Sequence, residues 1–247
     1  MTELHAFPFD PLDHAEALQL LEQGEIEVLG RIQGSSNITL AAQLTLGDRK
    51  GLAVYKPIAG ERPLHDFETG TLHRREVACY RLSELLGWHL VPPTILRLDA
   101  PGGEGSLQLF IPHDPEDNAF TLYEQRADAF RVIALLDILA NNADRKAGHV
   151  ILGANDDRLW AIDNGLTFHV ETKLRTVLWP FAGEILDPDE LRAIDALRDR
   201  AHWQPTLEEL LDAAELDAFA ARIAALLDQP VFPEEPDDRY PYPWPPV

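Results

Sequence analysis

The sequence predicts an α+β fold in two lobes, a small β-rich lobe followed by a larger, mainly helical one, with a cleft between them. Three observations carry this. Short apolar runs bounded by turn residues dominate 25–111. Helical periodicity dominates 112–229. The texture changes at Pro112-His113-Asp114-Pro115, which reads as a connector.

The elements follow in order. Residues 1–24 form an N-terminal helical extension. Ala15, Leu18 and Leu21 recur at helical spacing within Asp13–Gln23, and Gly24 is a stop signal. Within 25–111, three runs (Ile26 and Val28; Ile38, Leu40, Leu44 and Leu46; Leu52, Val54 and Tyr55) are separated by Gly34-Ser35-Ser36-Asn37 and Gly47-Asp48, the pattern of an antiparallel meander. Gly60–Gly70 reads as loop. A helix over Leu72–Leu86 carries Ala78, Leu82, Leu85 and Leu86 on one stripe and ends at Gly87. Strands Thr94–Leu98 and Ser106–Ile111 flank Pro101-Gly102-Gly103. In 112–229, Phe120–Ala140 is the longest periodic segment, and its later part is nearly all apolar, as in a buried helix. A hairpin, His149–Leu152 with Leu159–Ile162, precedes helices at Pro188–Arg200 and Leu207–Leu227. The tail, 230–247, holds seven prolines and cannot be regular structure. Its Tyr240, Tyr242 and Trp244 suit an extended strap docked on the same chain better than a disordered end, with partner recognition as the alternative.

Composition narrows the function classes. Of 247 residues, 45% are apolar and 26% charged, as in ordinary globular proteins. The net charge of −21 repels nucleic-acid phosphates and weighs against an anionic membrane surface. A single cysteine, Cys79, excludes an internal disulfide and argues against a cysteine-based zinc site. Cys79 sits among helix core positions and reads as a small apolar filler. No apolar run approaches the ~20 residues that span a bilayer. Met1–Asp13 is acidic and lacks the order of a signal peptide, so the expected location is the cytoplasm. Oligomeric state is left open.

Five segments carry candidate chemistry. Gly34, Ser35, Ser36 and Asn37 form a small-residue turn whose N–H groups and hydroxyls can approach phosphate oxygens, or a plain hairpin turn. Lys56 ends an apolar strand and needs an anion there, either phosphate or a carboxylate; Glu76, on the next helix, is the natural carboxylate, unless the two are a plain surface lysine and surface glutamate. Asp137, Asn141, Asn142, Asp144, Arg145, Lys146 and His149 crowd the end of the buried helix, where polar groups must be paired or at work. Asp144 can accept a proton from an attacking hydroxyl while Arg145 or Lys146 offsets phosphate charge, unless the cluster is only a cap. Asp163 ends a short strand before Asn164-Gly165 and can hold a divalent cation, or simply begin a turn. His169, Trp179 and Phe181 beyond it read as packing, with an acceptor groove as the alternative. Taken in order, phosphate loop, strand lysine, helix glutamate, proton-accepting aspartate and metal aspartate suit a two-lobed phosphotransferase.

These residues resemble the phosphatidylinositol 3-/4-kinase-like clan, most closely its type II phosphatidylinositol 4-kinases, and point to a short bacterial branch of it. Arg31-Ile32-Gln33-Gly34-Ser35-Ser36 is similar to that family's glycine-serine loop, Val54-Tyr55-Lys56-Pro57 to its lysine strand, and Arg75-Glu76-Val77-Ala78 to its lysine-pairing helix. Ser106-Leu107-Gln108-Leu109-Phe110-Ile111 resembles its hinge, Asn141-Asn142-Ala143-Asp144-Arg145 its catalytic loop, and Ile162-Asp163-Asn164-Gly165-Leu166 its metal segment. The resemblance implies a protein-kinase-like fold that binds ATP with Mg2+ or Mn2+. It implies that the backbone of Gln108, Leu109, Phe110 and Ile111 holds the adenine edge. The clan's second metal ligand, usually an asparagine five residues after the catalytic aspartate, is His149 here. The lipid family's cysteine-rich segment is absent. The expected activity is therefore transfer of the ATP γ-phosphate to a hydroxyl of a protein or soluble small molecule. The alternatives are a nucleotide-binding pseudokinase scaffold, a phosphatidylinositol kinase, and nucleotidyl transfer on the same fold.

Overall fold

The computed structural model describes residues 12–34, 37–237 and 240–247. Helix α1 (His14–Gln23) starts at Asp13, whose side chain accepts the Glu16 N–H while Glu16 caps in return. Five antiparallel strands follow: β1 (Glu25–Arg31), β2 (Leu40–Leu46), β3 (Arg49–Pro57), β4 (Thr94–Arg97) and β5 (Gly105–Leu109), arranged β1-β2-β3-β5-β4. The expected meander is β1–β3. Strand β5 inserts between β3 and β4, pairing Lys56 with Ser106 and Gln108 with Thr94. Pleating sends Leu44, Ala42, Ala53, Tyr55 and Leu107 to one side, where Leu20 and Leu21 of α1 cover them.

Between β3 and β4 lies α2 (Leu72–Leu85). Its inner side, Val77, Ala78 and Leu82, joins the core of the helical part, while α2 also packs against β4 and β5 of the sheet. That core is built on α3 (Ala119–Ala140), where Phe130, Ile133, Leu135, Leu136 and Leu139 are fully buried. Cys79 belongs to the same core, and burial pushes its thiol pKa up, so it is a packing residue. The hairpin is β6 (Val150–Leu152) with β7 (Leu159–Ala161).

The two helices expected after residue 188 are three: α4 (Pro188–Asp195), α5 (Arg200–Leu207) and α6 (Ala213–Asp228). The breaks come from aspartates. Asp199 accepts the Ala201 N–H and Asp212 the Glu215 N–H, so each begins a new helix inside a stretch whose apolar period looks continuous. Trp203 of α5 and Phe219 of α6 meet edge to face in the core, with centroids 4.8 Å apart. Among the described residues no helix is long and apolar enough to cross a membrane.

Candidate active site

The cleft is organised by Lys56. Tyr55 faces the α1 side of the sheet, so the alternation of β3 turns Lys56 the other way, toward α2 and the end of β7. Its ammonium donates to Glu76 Oε1 and, at 2.7 Å, to Asp163 Oδ1. Burial pulls the lysine pKa down, but Asp163 and Glu76 outweigh it and hold the ammonium charged. Lys56 in turn holds Asp163 well below the usual carboxylate range. Glu76 is nearly buried, which pushes its pKa up against the pull of Lys56; its second oxygen accepts the Asn164 N–H at 3.0 Å.

Glu76 is itself held. Arg75, one residue earlier on α2, is 4% exposed and pairs with Glu215 of α6. It also donates to the Thr167 carbonyl at 2.6 Å, and its guanidinium lies 5.1 Å from the Phe67 ring centre. Helix α2 is thus tied to the helical lobe beside the residue that orients Lys56. Nothing in the periodicity marked Arg75 as more than a surface residue flanking the helix stripe.

Asp163 and Asn164 follow β7. Asp163 sits at φ +57°, a left-handed conformation that aspartate tolerates better than most side chains and that is frequent at functional turns. Asn164 is fully buried and bonded on every side: Oδ1 accepts from Arg145 Nη2 at 2.6 Å, and Nδ2 donates to the Ala161 carbonyl at 3.1 Å. The Asn-Gly pair gave a turn signal; the clue missed was that this amide leaves an apolar strand toward a buried arginine.

The polar cluster at the end of α3 divides into two populations. Asp137, Asn142 and Arg145 are buried and mutually bonded. The five N–H groups of Arg145 reach Asp137, Asn164 and the carbonyls of His149 and Ile162. Its expected role in offsetting phosphate charge is therefore corrected: with no exposed surface and no N–H left over, it is a structural hub. Lys146 turns outward, its Nζ 3.5 Å from Asp144 Oδ2. Asp144 has its pKa raised to about 6, chiefly by burial and against the pull of Lys146. Asn141 caps α3 at φ +54° and donates to the His169 and Glu171 carbonyls.

His149 lies between the two aspartates. Its Nδ1 is 2.9 Å from the Asp144 carbonyl, which can only accept, so Nδ1 carries the proton. The Lys146 N–H contact to the same nitrogen is longer, 3.4 Å, and is the weaker competitor. Nε2 then faces Asp163 Oδ2 at 3.3 Å. Burial pulls the imidazole pKa down to about 4 against the pull of Asp163, so the ring is neutral at pH 7.

A cavity of about 350 Å³ opens in front of these groups, lined among others by Lys56, Glu76, Asp144 and Asp163. Asn37 also lines it, but its Oδ1 accepts the Arg62 N–H at 3.0 Å and braces the loop. Gly34 turns at φ +91°; Ser35 and Ser36 lie outside the described residues. Gln108, Leu109, Phe110 and Ile111 are not brought to this cavity. The Gln108 amide donates to Thr94 Oγ1, and the N–H groups of Leu109 and Phe110 donate to the Pro93 and Leu52 carbonyls. The hinge expectation is corrected for these two N–H groups, which belong to the sheet. Trp179 and Phe181 are buried, as expected for packing, and His169 packs on Phe67.

Fold and cleft together define a protein of the protein-kinase-like fold. Similar solved structures include a Golgi casein kinase with Mn/ADP bound (TM-score 0.55, 16% identity, 85% of this chain and 74% of that chain). A hydra Fam20 with sugar matches with a TM-score of 0.57, 15% identity and 87% coverage of each chain. The Helicobacter pylori proinflammatory kinase CtkA matches at 0.51, 13% identity, over 85% of this chain and 94% of that one. No family model matches the chain. The chain belongs to the family of Protein Rv2133c of Mycobacterium tuberculosis, to which it is 42% identical over 264 residues, 92% of this chain and 94% of that protein.

Proposed function

We propose that this protein is an ATP-dependent phosphotransferase that moves the γ-phosphoryl group to a hydroxyl of a protein or soluble small molecule. One observation carries the reading: Lys56 bridges Glu76 on α2 and Asp163 after β7, with Asp144 on the same cavity. A cation held at a fixed point between two carboxylates is placed to bind nucleotide phosphates, and catalysis of phosphoryl transfer is mostly such positioning. Asp144 orients the acceptor hydroxyl and takes its proton. Lys146, on the outer side, offsets phosphate charge. In this reading the small-residue turn at Gly34–Asn37 covers the phosphates. The similarity to type II phosphatidylinositol 4-kinases supports the nucleotide site; the charge of −21 favours a soluble acceptor over a lipid.

The residues fit a divalent cation. Protonation at Nδ1 leaves a lone pair on His149 Nε2 aimed at Asp163 Oδ2, so two acceptors face each other at 3.3 Å, a separation that a shared cation explains. Among the described residues no group of three or more His, Cys, Asp or Glu converges on one point, which leaves the other positions to water and phosphate oxygens. When bound, the cation neutralises charge on the transferring phosphoryl group. A structure of this fold holds Mn and ADP, in line with that use.

Two outcomes test the reading. ADP is expected to form from ATP, and Asp163→Ala is expected to abolish its metal dependence while circular dichroism is unchanged; retained metal-dependent turnover would sink the assignment. A neutral imidazole favours softer ions, so activity is expected to be higher in Mn2+ than in Mg2+, and His149→Asn to lower that ratio. An unchanged ratio removes His149 from the metal site. Binding of ATP without ADP in either metal favours the scaffold reading.

A further inference from the structure

The described residues of segment 230–247 dock on their own chain, as expected, but not through the aromatics expected to anchor them: Tyr240 and Trp244 are exposed, and Phe232 and proline carbonyls make the contacts. At its root, the Leu186 N–H donates to the Pro230 carbonyl at 2.8 Å, and Phe232 exchanges bonds with Gly183 and Glu184. Phe232 is 3% exposed, with the Arg131 guanidinium 4.5 Å from its ring centre. The far end reaches the loop carrying Asp144. The Pro246 carbonyl accepts the Ala147 N–H at 2.8 Å. The Pro241 carbonyl accepts the Thr176 N–H at 3.1 Å and Trp179 Nε1–H at 3.0 Å.

Both anchor points belong to one unit. Arg145 donates its N–H to the Arg175 carbonyl and accepts the Val177 N–H, so the strip 175–177 is a partner strand of the Asp144 loop. Ala147 is fully buried and opens the single turn Ala147–His149 that separates Lys146 from His149. Its N–H has no intrahelical acceptor at that position and needs one from elsewhere. The segment is chemically matched to the task. Its prolines carry no N–H, so it presents carbonyls to a loop edge that offers donors, and its extended backbone is restricted before it binds.

We infer that residues 240–246 are a built-in positioning strap, which holds the 144–149 loop at its working geometry so that Asp144, Lys146 and His149 meet ATP together. The inference rests on the phosphotransferase reading. It assigns a positioning role to Pro241 and Pro246, acting through backbone carbonyls, and to Trp179 as the side-chain clasp.

The test uses the full chain in two variants. In one, Pro241, Pro243, Pro245 and Pro246 become glycine; the other is Trp179→Phe, which keeps the packing and removes the donor. Amide hydrogen exchange at Ala147 and Thr176, with no nucleotide present, is expected to be at least tenfold faster in the glycine variant. With ATP and Mn2+ as the probe, kcat for ADP formation is expected to fall at least tenfold while KM for ATP moves less than threefold. Trp179→Phe should shift both in the same direction, less strongly, and it carries the test alone if the glycine variant fails to fold. Unchanged exchange at Ala147, or faster exchange with unchanged kcat, overturns the strap. If the wild-type chain makes no ADP, the phosphotransferase reading fails instead, while the exchange rates still report whether 240–246 holds the loop.

Discussion

Asp144→Asn is expected to lower ADP formation by about 10²- to 10⁴-fold, the usual contribution of a positioned acid–base group. The substitution keeps size and hydrogen-bonding reach but removes the ability to take the acceptor's proton. The Asp144 side chain contributes little to the fold: among the described residues its ion pair is with Lys146 at 3.5 Å, and it is a quarter exposed. The bonds that hold the loop run through its backbone, the N–H to Asn142 Oδ1 and the carbonyl to His149, and survive the change. The loss should therefore fall on kcat, with the melting temperature unchanged and KM for ATP within about threefold. Steady-state kinetics beside a thermal melt checks it. A variant with full kcat would show that another group handles the proton; a variant that melts early would show that the carboxylate is structural.

The neighbouring residue should behave in the opposite way. Arg145→Met is expected to destabilise the protein by about 3–5 kcal/mol, because it strands the buried Asp137 carboxylate without its partner. In a chain of this size each kcal/mol shifts the midpoint by roughly 2–4 °C, so the melt should move down by on the order of 10 °C. Asp137 is 1% exposed, and beyond Arg145 its carboxylate accepts from the Asn142 side-chain amide at 3.0 Å. Water cannot replace the guanidinium without opening the core. The Asn164 amide and the His149 and Ile162 carbonyls lose donors at the same time, which is why the expected value lies above that of a single hydrogen bond. Differential scanning calorimetry checks it. A shift of only 1–2 °C would mean that the pair is worth little and that Arg145 is free for another task. Adjacent residues, one lost in rate and the other in stability, would establish where the site ends and its frame begins.

The candidate site was legible in the sequence wherever a residue's type contradicted its place. Lys56 at the end of an apolar strand demanded an anion, and it finds two, Glu76 as expected and also Asp163, which the sequence marked as a metal ligand or a turn. The dense polar stretch from Asp137 to His149 was recognisable as paired or at work. Which members were which was not, because Arg145 and Lys146 are both cations on one loop and their separation into core and cleft depends on the path of that loop through a left-handed Asn141 and a single turn at 147–149. The hinge was misjudged for a related reason. Alternation tells which residues of 106–111 share a face, but whether an N–H faces a ligand or a neighbouring strand depends on the register, and Leu109 and Phe110 turned out to serve Pro93 and Leu52.

By itself, then, the sequence determined the elements and their order, from α1 through the meander, α2 and the buried α3, because period, caps and breakers act over a few residues. It pointed to one pair of charged groups that had to meet, Lys56 and Glu76, because an ion left alone at the end of an apolar strand is too costly to keep. The tertiary structure alone decided the rest. It placed β5 between β3 and β4, clamped α2 to α6 through Arg75 and Glu215, made Arg145 a hub, and laid 240–246 along the Asp144 loop. Each of these is a pairing between residues far apart in the chain. Such a pairing is chosen by the competition of whole surfaces for burial and of orphaned backbone groups for partners, and no local pattern records its outcome.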